Sequence, residues 1–159
     1  MNKRALIQKI LAKLTSELEV YFRAAQNSRA EATHEQSKAE SKYDTRGLEA
    51  SYLARGQSRQ AAELEMSIAE FGKLDTRKFD PGEGIGVGAL VELEIAGERL
   101  FYFVGPRAGG TEVVQDKNEI LVITPQSPLG AQLMDKKQGD RPQLLLAGRK
   151  QAARIASVT

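Results

Sequence analysis

The sequence contains no cysteine. That removes disulfides, thiolate nucleophiles, iron–sulfur clusters and every zinc site built on cysteine. A single histidine, His34, rules out a multi-histidine metal site. No stretch approaches the ~20 consecutive apolar residues that a membrane helix needs, so no membrane partner is expected. The opening MNKRALIQKILAKL is not a signal peptide: Gln8, Lys9 and Lys13 interrupt its apolar residues, and no small-residue cleavage site follows. A cytoplasmic location is therefore the expectation. The charge is nearly balanced, with 23 basic and 21 acidic side chains, too small an excess for a general nucleic-acid binder.

Proline and glycine are scarce in one half only. Residues 1–73 have no proline, and their first glycine is Gly47; all five prolines and 11 of 14 glycines lie in residues 74–159. Such a shift marks a boundary, placed at Lys73–Arg77. Three regions follow: a helical region over 1–73, a linker over 74–86 and a strand-rich domain over 87–159.

In the first region Ile7, Leu11, Leu14, Leu18, Tyr21 and Ala25 recur in steps of four and three, the seam of a coiled coil. A second apolar series runs through Leu48, Tyr52, Leu64, Ile68 and Phe71. Between them, AEATHEQSKAESK is helix-forming but highly charged. A hairpin turning near residues 41–47 would pair the two series and leave the polar middle as an exposed tip. One long helix pairing with another chain is the alternative, since no Gly or Pro precedes Gly47.

The second half alternates like strands. Val91, Leu93 and Ile95 share a face, Ala96-Gly97 turns the chain, and Arg99–Val104 returns. Glu112–Val114, Ile120–Ile123, Gln143–Leu146 and Ala153–Val158 are further strands. Ser127–Met134 reads as a short helix with Ser127 as its cap and Pro128 as its first residue. Gly82–Gly88 contains G-x-G-x-G, but it precedes a strand instead of joining strand to helix and no Lys-Ser/Thr follows, so it reads as linker and strand entry. No nucleophile–base constellation is present, and no enzyme is expected. Glu31 and His34 are spaced to share a metal but lack a third ligand.

The segment from Thr124 to Asp140, TPQSPLGAQLMDKKQGD, resembles the C-terminal domain of the Gre (GreA/GreB) transcript-cleavage factors. That family has Ser-Pro-(Leu/Ile)-Gly/Ala-x-x-Leu-(Leu/Ile/Met)-Gly-Lys-x-x-Gly-Asp there; Asp135 stands where it usually has Gly. Ala50-Ser51-Tyr52-Leu53-Ala54 is similar to a run in the Gre coiled coil, and the order of the two regions is the same. The resemblance implies an α+β fold: an N-terminal antiparallel helical coiled-coil hairpin followed by a small FKBP-like β-rich domain. It implies an RNA polymerase partner, with the coiled coil entering the secondary channel and tip carboxylates beside the polymerase's catalytic Mg²⁺. The protein would need no cofactor of its own, would meet nucleic acid, DNA included, only through the polymerase complex, and would at most stimulate the polymerase's own cleavage of backtracked transcripts. Docking contacts would fall on the C-terminal domain, with Gln132 and Lys136 as candidates, and on Arg46 near the tip.

The tip departs from the family's Gly-Asp-Leu-Lys/Arg-Glu-Asn-Ala-Glu-Tyr. Aligned on Ala50 and Tyr52, its two acidic positions fall on Thr45 and Leu48. The carboxylates at hand are Asp44 and Glu49, five residues apart instead of three. On a helix they point ~140° apart, so they converge only if the chain bends at Gly47. Two alternatives stay open: a regulator that fills the channel without promoting cleavage, and an unrelated coiled-coil interaction protein. Fold alone does not decide among these.

Overall fold

The computed structural model describes residues 1–33 and 46–159. Two long helices come first, α1 (Lys3–Thr33) and α2 (Arg46–Gly72). Six strands follow: β1 (Leu90–Ile95), β2 (Glu98–Val104), β3 (Glu112–Gln115), β4 (Asn118–Ile123), β5 (Gln143–Leu146) and β6 (Arg149–Val158), with the short helix α3 (Pro128–Leu133) between β4 and β5. The class is α+β. The chain divides into two compact units, one of residues 12–68 and one that joins residues 1–11 to 69–159.

The helical unit holds most of α1 and α2. Arg29 Nη2 donates to Ser58 Oγ at 3.1 Å, joining one helix to the other. Ala61 and Ser67 are buried, and the Ser67 hydroxyl donates back to the Glu63 carbonyl at 2.9 Å, a local bond that lets a polar side chain sit inside. The turn expected near residues 41–47 falls largely outside the described residues. Gly47 itself lies inside α2.

The sheet unit has strand order β3-β4-β2-β1-β6-β5. All neighbours are antiparallel except β2 and β4, which run parallel with Phe101 opposite Ile120 and Phe103 opposite Val122. Alternation gives the sheet two faces. One carries Val91, Leu93, Ile95, Val104, Ile123 and Ile155 into a core closed by Leu133 of α3, with Phe79 and Ile85 from residues 74–86 in the same cluster. The other face brings up Phe103, Ile120 and Val122, all buried, and Phe71 from the end of α2 lies 6.3 Å from the Phe103 ring. The start of α1 belongs to this unit too. Lys9 Nζ donates to the Val114 carbonyl at 2.8 Å, and Gln115 Nε2 to the Asn2 carbonyl at 3.1 Å. Here Leu6, Ile7 and Ile10 are all buried. The seam read from the sequence took only Ile7, because it assumed one partner helix. A helix end set into a larger interior buries a wider stripe.

Three connections are two-residue hairpin loops with positive φ at both positions: Ala96-Gly97, Asp116-Lys117 and Ala147-Gly148. This is the type I′ geometry, whose twist matches that of the strands. The last of these starts β6 at Arg149, where sequence alternation starts it at Ala153. Alanine is strained at positive φ, by roughly 1–2 kcal/mol. Ala96→Asn and Ala147→Asn are therefore each expected to stabilise the protein by about 0.5–1 kcal/mol, measured as a rise in urea midpoint with unchanged slope. A fall in midpoint for both would rule out the assigned turn geometry.

Candidate functional site

The motif from Thr124 to Asp140 is held together by its own chemistry. Ser127 Oγ accepts from Gly130 N at 3.1 Å and donates to the Thr124 carbonyl at 2.7 Å, capping α3 as the sequence predicts. Pro128 takes the first helical position, where a missing N–H costs nothing. Leu133 is fully buried. Asp135 has φ 63°, a left-handed conformation that glycine adopts freely and Asp tolerates. This explains how Asp stands at a position where the similar family has Gly. Asp135 N donates to the Ile85 carbonyl at 3.0 Å and Ile85 N to the Lys136 carbonyl at 2.8 Å, so residues 84–85 pair with 135–136 like a short strand. Gly84 permits this: a Cβ there would lie 3.0 Å from the Asp135 Cα. Asp140 closes the segment by accepting from Lys137 N at 2.8 Å, and its carbonyl accepts from Ile155 N at 2.9 Å.

The two docking candidates on this segment differ in their freedom. Gln132 is committed internally. Its Oε1 accepts from Leu145 N at 2.7 Å, and its Nε2 donates to the Leu145 carbonyl at 3.2 Å and the Pro128 carbonyl at 2.8 Å. β5 is an edge strand, and the Gln132 amide fills the ladder position that a seventh strand would occupy. Lys136 is half-buried, and among the described residues only its backbone is hydrogen-bonded to neighbours.

Of the tip residues, Arg46 and Glu49 lie in the first turn of α2. Asp44 and His34 lie outside the described residues. Among the described residues no three His, Asp or Glu side chains gather to hold a metal.

Sequence reading missed a second polar cluster, in residues treated as linker. Arg77 forks onto Glu83, Nη1 to Oε2 at 2.9 Å and Nη2 to Oε1 at 2.5 Å, and Glu83 Oε2 also accepts from Asp80 N at 3.1 Å. The Arg77 guanidinium lies 4.3 Å from the Phe79 ring centroid, and the Lys3 ammonium 4.9 Å from it. The only signal in the sequence is Arg-x-Phe followed by a glutamate, which is too common to single out. The Arg77 hydrogen bond, then the Asp80 backbone N–H, pull the Glu83 carboxyl from 4.5 down to about 2. A depressed carboxylate stabilises the fold above its unfolded value and loses that effect as pH falls toward the folded one. The gap in urea midpoint between the protein and Glu83→Gln should thus be constant above pH 4.5 and close between 4.5 and about 2. A gap that stays the same at pH 2 would show that the pair has no such linkage.

No protein-family model matches the chain, and no curated protein matches it. Among solved structures it is similar to GreA factor homolog 1 (Gfh1) of Thermus thermophilus, at 26% identity over 94% of each chain with a TM-score of 0.40. It is similar to Gfh1 of Thermus aquaticus, at 26% identity over 92% of each chain with a TM-score of 0.41. A further structure, of the transcription factor Gfh1, gives 25% identity over 93% of this chain and 92% of that one, with a TM-score of 0.41.

Proposed function

We propose that this chain is an RNA polymerase-binding transcription elongation factor of Gre type, acting in the cytoplasm. The observation that carries the reading is the segment Ser127–Asp140. Its resemblance to the Gre C-terminal stretch is not a match of letters alone. Ser127, Pro128, Leu133, Asp135 and Asp140 each fill a defined structural role, so the resemblance extends to the physical reasons for the motif. The sheet unit docks on the polymerase, with Lys136 as a contact; Gln132 acts by fixing the edge of β5 beneath that surface. The helical unit supplies reach, since residues 12–33 of α1 span about 33 Å at ~1.5 Å per residue.

Within this reading, occupancy of the secondary channel without efficient cleavage is favoured. The supporting observation is the spacing of the two carboxylates at hand, with Asp44 and Glu49 five residues apart where the Gre family has three. A second Mg²⁺ needs carboxylate oxygens held together at ~2.0–2.1 Å from it. Residues five apart on a helix point ~140° apart, which works against that convergence, and Arg46 lies between the two in sequence as a competing partner for either carboxylate.

The test is co-purification with core RNA polymerase, followed by cleavage of a backtracked complex. The expected result is tight binding with weak cleavage, lowered further by Asp44→Ala and Glu49→Ala. Strong cleavage that both substitutions leave unchanged would remove these two residues from the site. Absence of polymerase binding would turn the reading to an interaction protein that uses the same domain for another partner.

A further inference from the structure

A cavity of about 490 Å³ opens where the start of α1 meets residues 76–79 in the sheet unit. Its polar side chains are cationic or neutral, Lys3, Arg4 and Lys78 with Asn2, Thr76 and Thr159; Met1 and Phe79 add apolar walls. Among the described residues no acidic side chain lines it. Lys3 is the notable member, because only 8% of it is exposed. Its ammonium donates to the carbonyls of Arg77 and of Gly88, the latter at 3.1 Å, and faces the Phe79 ring. These partners are all neutral. Buried charges ordinarily pair with an opposite charge; the carboxylates of Asp75 and Glu83 both act on Lys3, but among the described residues neither forms an ion pair with it, and Glu83 is engaged by Arg77. Burial first, then the Arg77 charge, hold the Lys3 ammonium below its ordinary pKa. An anion in the cavity would offset both by favouring the charged form.

We infer that this cavity binds a small phosphorylated compound, held by Lys3, Arg4 and Lys78. Three cations from two chain segments suit a ligand with at least two negative charges. The positive end of α1 points the same way. The Asn2 amide and Thr76 hydroxyl supply neutral hydrogen-bonding groups for phosphate oxygens. The volume exceeds what a phosphate alone needs and falls in the range of ~300–1,000 Å³ usual for metabolite pockets, and the aromatic wall suits an attached organic group. The site is separate from the surface assigned to polymerase, and the inference does not depend on that assignment.

The experiment is titration of the whole chain with inorganic pyrophosphate and, in parallel, with ADP at low salt, followed by calorimetry and by backbone amide shifts. Saturable one-to-one binding is expected, with shifts at residues 3–5 and 76–79. Arg4→Ala and Lys78→Ala, both at exposed positions, should each weaken it about tenfold, the scale of a lost charge-assisted contact. Lys3→Met should weaken it at least as much, provided its amide spectrum shows a folded chain. Lys150→Ala, on the exposed start of β6, should leave it unchanged. Tighter binding of ADP than of pyrophosphate supports a site that takes a nucleotide; equal binding supports one that takes the phosphate group alone. No saturable binding of either probe, or equal loss from Lys150→Ala and Lys78→Ala, would overturn the inference.

Discussion

Gly130→Ala is expected to destabilise the sheet unit by about 3 kcal/mol, whereas Gly56→Ala is expected to stabilise the helical unit by about 0.5–1 kcal/mol. The two substitutions add the same methyl group. At Gly130 the new Cβ would lie 1.8 Å from the Thr124 carbonyl oxygen and 2.8 Å from Ser127 Oγ. The first is backbone and cannot rotate away. Relief requires α3 to move off residues 124–127, which breaks the Ser127 cap and withdraws Leu133 from the core. At Gly56, in the interior of α2, nothing lies within 4 Å of the added atom. The gain there comes from the lower backbone entropy of the unfolded chain and from better helix propensity. Urea denaturation followed separately through amide exchange of β4 and of α2 would resolve the two signs. A neutral Gly130→Ala would mean that the tight approach of α3 to Thr124 is not maintained in solution.

The same contrast explains what the sequence revealed and what it hid. Strands were legible where one face is buried and the next residue is not. Val91, Leu93 and Ile95 are buried with Glu92 and Glu94 between them, so alternation alone places β1. The α3 cap was legible because Ser-Pro before a short apolar run has a single local reading. The loops Asp116-Lys117 and Ala147-Gly148 were not, since Lys and Ala at positive φ carry no turn signature and are held there by strand pairing on both sides. Residues 74–86 read as linker by composition. Yet Phe79 and Ile85 sit in the core, and of the glycines between them Gly84 serves close backbone approach while Gly82 takes a left-handed turn at φ 90°. For the candidate site, the resemblance located the segment proposed to dock but could not tell an available side chain from a committed one. Gln132 and Lys136 look equally available in sequence. Only the position of β5 at the sheet edge explains why the first is spent on Leu145. Lys3, a surface residue by type and by its place near the chain start, is buried through tertiary contacts that no local pattern encodes.

Phe71 and Gly105 should show strong coupling. Phe71 is 1% exposed and packs against Phe103, which lies on the sheet face opposite α3. Truncation to Ala leaves a cavity beside Phe103, at a cost of about 3–5 kcal/mol. Gly105 follows β2, where the ring of Phe71 lies across the backbone. A Cβ at Gly105 would meet Phe71 Cζ at 2.6 Å, Val122 Cγ1 at 2.9 Å and the Arg107 carbonyl at 3.1 Å. Gly105→Ala by itself should therefore cost about 1–3 kcal/mol through overpacking. In a Phe71→Ala background the closest of those contacts disappears, and the added methyl enters the space the ring has left. The double variant should be more stable than the sum of the single losses by at least about 1 kcal/mol, within the range seen for residues in direct contact. Strain against Val122 and the Arg107 carbonyl persists, so the double variant should still fall well short of the parent. Amide exchange at Phe103 and Val122 reports the effect locally. Single losses that add to within about 0.3–0.5 kcal/mol would show that the two sites do not share this space, and would place the cost of Gly105→Ala on the Val122 and Arg107 contacts instead of on the ring.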